Sequence, residues 1–221
     1  MKDKLRLYGL DPVPKNLDEA VKIQKLLRSK ILLKDLFEKI NLIGGVDVSY
    51  KENRAKACVV VFSYPDLKFL EHKEERCFVD FPYIPGFLSF REIPPLIKAL
   101  EKLNNFPDLI MCDGQGIAHP RSMGIATHLG VLLDIPTIGV AKSKLVGSFK
   151  EPKDEKGSWE PMIYRNKVVG AVVRTKKGVK PLFVSPGHKI SLKTAIEFVI
   201  NTTTKYKTPE PIRMAHLYSK E

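Results

Sequence analysis

Three strand-like segments separated by tight polar turns, followed by a helix–strand–helix–strand alternation, constrain this chain more than any other feature. The first segment is Leu42 to Tyr50, the second Ala57 to Ser63 and the third Leu67 to Phe81. Lys51-Glu52-Asn53-Arg54 and Tyr64-Pro65-Asp66 supply the turns between them. Consecutive strands joined this closely form an antiparallel meander. From residue 89 the pattern changes to a helix over 89–103, a strand at 109–112, a helix from about Ser122 to Leu133 and a strand at 137–141. Strands alternating with helices are joined by crossovers and lie parallel. The expected fold class is α/β, with one mixed sheet of meander plus parallel strands flanked by helices.

The remaining segments fit around that sheet. Apolar residues from Leu17 to Ile40 recur at helical steps and predict a leading helical segment over 16–40, after an extension at 1–15. A charged excursion at 143–160 precedes a hairpin turning at Arg165-Asn166-Lys167, a short strand at 181–184, a helix at 191–203 and a last helix after Pro209 or Pro211. No Ser/Gly-rich linker divides the 221 residues, so a single domain is expected. The order of elements is that of the ribonuclease-H-like architecture, which other α+β folds share.

Composition narrows the class of partner. The chain carries 37 Lys and Arg against 25 Asp and Glu, a net charge of +12, which favours an acidic partner. From Lys142 to Lys189 there are 12 basic and 4 acidic residues, so +8 falls within 48 positions. Such a skew suits a phosphate-tracking surface, and solvated charge is the plainer explanation. Cys58, Cys77 and Cys112 are too few and too widely spaced for a disulfide scaffold or a cysteine zinc site. No run of 18 apolar residues and no apolar signal core is present, so a cytoplasmic protein without a membrane partner is expected.

Two carboxylates stand where carboxylates are costly. Asp47 interrupts the apolar strand Ile43–Val48, although taken alone a strand-edge or helix-cap position explains it better. Asp113 directly follows Leu109-Ile110-Met111-Cys112, at the carboxyl end of a buried parallel strand where ligands of open sheets bind. Two such groups on adjacent strands suit Mg²⁺, with substrate phosphate completing the shell. Glu92 is a third candidate, but with Ser89 three residues earlier the spacing alone favours a capping-box residue. Lys142 follows the apolar strand Ile138–Ala141 and belongs at the same sheet end as Asp113. His119 and His188 stand in Gly/Pro-containing loops, whereas His216 in the last helix reads as a surface residue. Tyr83-Ile84-Pro85, between Pro82 and Gly86, is a stiff loop fit either to wedge between bases or to pack over the core.

Five stretches together resemble the endonuclease V family, in that family's order. They are Val46-Asp47-Val48-Ser49-Tyr50, the run from Pro82 to Glu92, the run from Asp113 to Arg121, Gly139-Val140-Ala141-Lys142-Ser143 and Ser185-Pro186-Gly187-His188. The resemblance implies a ribonuclease-H-like fold and Mg²⁺-dependent nicking of single- or double-stranded DNA at the second phosphodiester 3′ to deoxyinosine. It implies 3′-hydroxyl and 5′-phosphate ends, Mn²⁺ as a substitute metal and no organic cofactor. By motif match it makes Asp47, Glu92 and Asp113 metal ligands, directly or through water, with His216 beside them. It assigns phosphate contacts to Lys142, Ser143 and His188. Tyr83, Ile84 and Pro85 become the strand-separating wedge. Gly86, Leu88, Gly114, Gly116, His119 and Ile125 become the pocket for a flipped base. Competing readings are an inosine-directed endoribonuclease of the same fold, a non-catalytic nucleic-acid-binding module and a phosphate-binding metabolic enzyme.

Overall fold

The computed structural model describes residues 13–52 and 54–221; the expected extension at 1–15 and Asn53 of the first turn therefore lie wholly or mostly outside the described residues. The elements run α1 (Leu17–Arg28), β1 (Leu42–Lys51), β2 (Arg54–Ser63), β3 (Phe69–Phe78), α2 (Ser89–Glu101), β4 (Leu109–Asp113), α3 (Ile125–Leu133) and β5 (Thr137–Ala141). They continue with β6 (Trp159–Tyr164), β7 (Lys167–Val173), β8 (Leu182–His188), α4 (Leu192–Asn201) and α5 (Glu210–Lys220). All eight strands join one sheet in the order β3-β2-β1-β4-β5-β8-β7-β6. β1 pairs parallel with β4, and β4 with β5, while the remaining pairs are antiparallel. This is the mixed ribonuclease-H-like sheet expected.

Strand periodicity sorts the core onto two faces. Val46, Ile110 and Cys112 point toward α1, α2 and α3, where Phe90, Leu96, Leu100 and Leu129 fill the layer. Ile43, Leu109 and Met111 point the other way, against Ile196, Val199 and Ile212 of α4 and α5. Helices on both faces leave the sheet ends as the open surface for a site.

Three expected segments differ; the third strand, expected over Leu67–Phe81, spans only Phe69–Phe78. The leading helix ends at Arg28, not at residue 40. Ile31 packs with the α1–α3 layer, whereas Phe37 and Ile40 pack with the α4–α5 layer, so 29–41 crosses from one face to the other. A continuous helix cannot do that. Asp35 in this stretch accepts from Ser191 N and Thr194 Oγ1, both at 2.8 Å, and so ties it to the start of α4. The strand expected at 181–184 extends to His188, because Ser185-Pro186-Gly187 serves as sheet wall and not as a turn. The Ile117 amide donates to Pro186 O at 2.9 Å.

Gly45 is the hinge between fold and site. A Cβ there would lie 2.1 Å from Pro211 O and 2.2 Å from Pro211 C, so only glycine lets α5 lie this close to β1. Gly45→Ala is expected to cost about 1–3 kcal/mol by forced repacking. It should lower Tm by about 2–4 °C per kcal/mol, measured by thermal unfolding. An unchanged Tm would mean that α5 has room to shift.

Candidate active site

The parallel run β1–β4–β5 aligns Asp47, the residue just past the last β1–β4 pair, with Asp113 at the end of β4 and Lys142 after β5. α5, seated over Gly45, adds His216 and Ser219. His216 Nδ1 lies 2.9 Å from Asp47 Oδ2 and 4.0 Å from Asp113 Oδ2. Ser219 Oγ donates to the same Asp47 oxygen at 2.7 Å, and Lys142 Nζ donates to Asp113 Oδ2 at 2.7 Å. One ligand atom each from Asp47, Asp113 and His216 falls within 4.8 Å of the others. Two carboxylate oxygens and an imidazole nitrogen form a donor set that suits a hard divalent cation, with the imidazole making Mn²⁺ acceptable beside Mg²⁺.

Glu92 lies outside that three-ligand group but feels it. Burial first, then the negative charges of Asp47 and Asp113, push its carboxyl up to about 8. The capping-box explanation fails on geometry. Ser89 is the first helical residue, Leu88 occupies the cap with no side-chain bond, and Ser89 Oγ pairs with His128 Nδ1 at 2.9 Å. Glu92 is thus a carboxyl held against two others with no capping duty.

That strain predicts a stability effect. The Glu92 pKa is higher in the folded chain than the ordinary value near 4.3, so its ionisation costs the fold nothing below about pH 4 and progressively more as pH rises through about 8. In EDTA, Glu92→Gln should therefore raise Tm little at about pH 4 and by several degrees at about pH 9. A lower Tm at the alkaline pH would show that Glu92 is favourably solvated.

A cavity of about 430 Å³ opens beside the carboxylates. Of the residues assigned to the base pocket, Gly86, Leu88, Gly114, His119 and Ile125 line it, and Ser143 joins Lys142 at its lip. Gly116 does not. It is buried with its amide donating to Ser185 Oγ at 2.8 Å, and a Cβ there would lie 2.2 Å from Pro186 O. Its role is close packing of the β4 loop on β8. The Gly114 amide is also committed, to Val140 O at 3.2 Å. The first amide of α3, at Ile125, has no partner among the described residues.

His188 requires a correction. β8 runs antiparallel to β5 and pairs His188 with Thr137, at the opposite end of β5 from Lys142. That places it about 16 Å along the sheet from the carboxylate edge. It is buried, its Nδ1 accepts from Leu32 N at 3.3 Å, and its Nε2 lies 3.4 Å from Asp134. A phosphate contact from there is excluded.

The wedge loop divides in two. Tyr83 is 68% exposed and Pro85 is exposed, but Ile84 packs on the α1–α3 layer. What holds the loop was not visible in the sequence. Gly86 O accepts from Gln24 Nε2 at 3.0 Å and from Arg121 at 2.5 Å, and Arg121 Nε donates to Gln24 Oε1. The Arg121 guanidinium also lies 4.1 Å over the Phe87 ring. His119 adds a backbone bond at Gly86. Burial first, then the Arg121 charge, keep its ring neutral by lowering the pKa to about 4. Its Nδ1 accepts from the amides of Arg121 and Met123. Gln115 Nε2 donates to Ser143 O at 3.0 Å and ties the β4 loop to the segment carrying Lys142.

A ribonuclease-H-like sheet with a carboxylate cluster at the carboxyl ends of its parallel strands, beside a cavity of this size, defines a hydrolase of the nuclease class. Residues 25–217 match the sequence profile of Endonuclease V. A relative from Trichormus variabilis, named Endonuclease V, is 51% identical over 214 residues, covering 96% of this chain and 97% of the relative. The solved Endonuclease V of Streptomyces avermitilis superposes with a TM-score of 0.90 at 39% identity, over 94% of this chain and 92% of that one. An Endonuclease V of Ciona intestinalis, solved with DNA containing an inosine followed by a ribo-adenosine, gives 0.81 at 36% identity over 92% and 95%. The chain belongs to the endonuclease V family. No helix among the described residues is long and apolar enough to cross a membrane.

Proposed function

We propose that the chain is a divalent-metal-dependent endonuclease that nicks DNA at the second phosphodiester 3′ to deoxyinosine, leaving 3′-hydroxyl and 5′-phosphate ends. The observation that carries this reading is the convergence of Asp47, Asp113 and His216 beside a base-sized cavity that Asp113 lines. Those three residues would hold Mg²⁺, or Mn²⁺ in its place, with Glu92 alongside. The ion when bound supplies charge neutralisation for the reacting phosphate and an acidified water.

The side chains supply the rest. Ser219 Oγ engages Asp47 Oδ2 and orients that carboxylate, leaving His216 Nδ1, 2.9 Å from the same oxygen, to face the ion. Lys142, half exposed on Asp113, offers its remaining ammonium donors to a phosphate oxygen at the cavity lip. A base turned into the cavity meets the free Ile125 amide at the N-terminus of α3. That donor suits the oxo group of hypoxanthine. Adenine presents an amino group at the same position, and donor facing donor costs about 1–3 kcal/mol per lost bond. Tyr83 and Pro85 form the wedge tip, with Ile84 as its anchor. Within the basic stretch, Arg174 bonds Glu151 and backbone around it, and Lys189 pairs with Asp134 at 2.7 Å. The turn between β7 and β8 carrying Lys176, Lys177 and Lys180 is the part of that stretch assigned to phosphate tracking, with Lys176 Nζ also bonded to Lys205 O.

The test is nicking in Mg²⁺ of matched duplexes carrying inosine or adenine at one position. Cutting confined to the inosine duplex is expected; equal cutting of both would overturn the reading. A second reading, cleavage of inosine-containing RNA, is favoured by the ribonucleotide in the Ciona intestinalis complex. The same assay on RNA decides it, since a preference for RNA over DNA would replace the DNA assignment.

A further inference from the structure

Next to the carboxylate edge, on its β1–β3 side, lies a second concavity of about 450 Å³ that the proposed chemistry does not use. Its cations come from four elements: Lys51 on β1, Arg54 and Lys56 on β2, Arg76 on β3 and Lys220 on α5. Register explains why they converge. Ser49 pairs with Lys56, which pairs with Arg76, and Lys51 pairs with Arg54, so these side chains share one face of the sheet. Strand alternation puts Asp47 on the same face, four residues or about 13 Å from Lys51. α5 covers this face as far as Ser219, whose backbone oxygen accepts from Ser49 Oγ. Beyond the helix the basic face is open.

Glu74 and Glu221 balance part of this charge, and three cations remain without an ion pair among the described residues. Glu74 pairs with Lys56 at 2.7 Å and lies 3.7 Å from Arg76. Lys51, Arg54 and Lys220 are exposed, with no ion-pair partner among the described residues. The Arg54 guanidinium lies 4.8 Å from the centroid of the exposed Phe78 ring. Cations beside an exposed aromatic ring in an open groove suit an extended single strand, whose phosphates meet the cations and whose bases find a π-face.

The position of the groove gives it a direction. The base cavity lies between the β3–α2 loop with α2 and the loops after β4 and β5, on the α2–α3 face, and the groove lies beside α5 on the other face at β1–β3, with the carboxylates between them. A strand with its lesion in the cavity and its cut phosphate at the carboxylates reaches the groove by continuing past the sheet edge. We propose that this groove binds the backbone of the strand 3′ to the cut; the direction rests on the proposed 3′ cleavage.

The test uses Lys51→Ala/Arg54→Ala/Lys220→Ala and, as a check on the fold, the corresponding triple Gln variant. Binding of 5′-fluorescein single-stranded DNA with one deoxyinosine is measured by anisotropy against NaCl in Ca²⁺. One strand extends about twelve nucleotides 3′ of the lesion and another about three, both with a long 5′ flank. Both variants should bind the long-flank strand roughly tenfold more weakly than the unmodified protein, with a salt slope smaller by about 2. On the short-flank strand the three proteins should agree. Unchanged binding of the long-flank strand, equal weakening on both strands, or a loss that follows the 5′ flank would each overturn the proposal. The same series with adenine in place of inosine separates the two readings. If the unmodified protein does not distinguish inosine from adenine, the proposed function fails, while a 3′-flank-dependent loss in the variants still upholds the groove.

Discussion

Asp113→Asn is expected to remove Mg²⁺-dependent nicking, by about 10³-fold or more in single-turnover rate, and to leave the chain folded. The loss corresponds to several kcal/mol of charge stabilisation at the reacting phosphate. Asparagine keeps the size and one acceptor, so the packing behind Asp113 on β4 persists. What goes is the anionic oxygen that Lys142 and His216 face at 2.7 and 4.0 Å. Binding of an inosine strand in Ca²⁺ should change far less than the rate. Asp47→Asn should be equally inactive but less stable, because Asp47 Oδ2 also engages His216 and Ser219 and so fastens α5 to β1. Circular dichroism and quenched-flow cleavage check the pair. Near-normal cutting by Asp113→Asn would remove Asp113 from the site.

Lys142→Met is expected to lower cleavage of bound substrate by about 10²-fold while binding holds within a few-fold. A single ammonium beside the reacting phosphate is worth this much when it acts on charge developing in the transition state. Lys142→Arg should recover part of the rate, because the charge returns with a different reach. Single-turnover cleavage and anisotropy on the same strand separate the two effects. A loss confined to affinity would make Lys142 one more backbone contact, comparable with the groove lysines.

The parts of the site legible in the sequence are those carried by apolar parallel strands. Asp113 and Lys142 each follow a short buried run, and a parallel sheet places such positions on one edge. Asp47 was ambiguous alone, because a strand-borne Asp has several uses. His216 carried no local signal. Its place depends on α5 packing across Gly45, a contact 166 positions apart in the chain between Gly45 and Pro211. Glu92 was obscured by a capping pattern that its own Ser89 does not use. His188 was misplaced because the direction of β8 is not written in its own residues. Only pairing with β5 reveals it. Residues 29–41 kept a helical rhythm of apolar residues because they serve two faces of the sheet in turn. The Arg121–Gln24–Gly86 clamp joins three segments whose individual residues are unremarkable, so nothing short of the fold brings them together.

The measurement that bears most directly on the whole account is a cleavage map at single-nucleotide resolution. A strand with one deoxyinosine is incubated with the protein in Mg²⁺ or in EDTA, and the products are sized beside a ladder of the same sequence. The account predicts a single Mg²⁺-dependent cut at the second phosphodiester 3′ to the inosine, with a 3′-hydroxyl on one product and a 5′-phosphate on the other. A cut at the inosine itself, a cut in EDTA, or the same ladder from an adenine strand would contradict it.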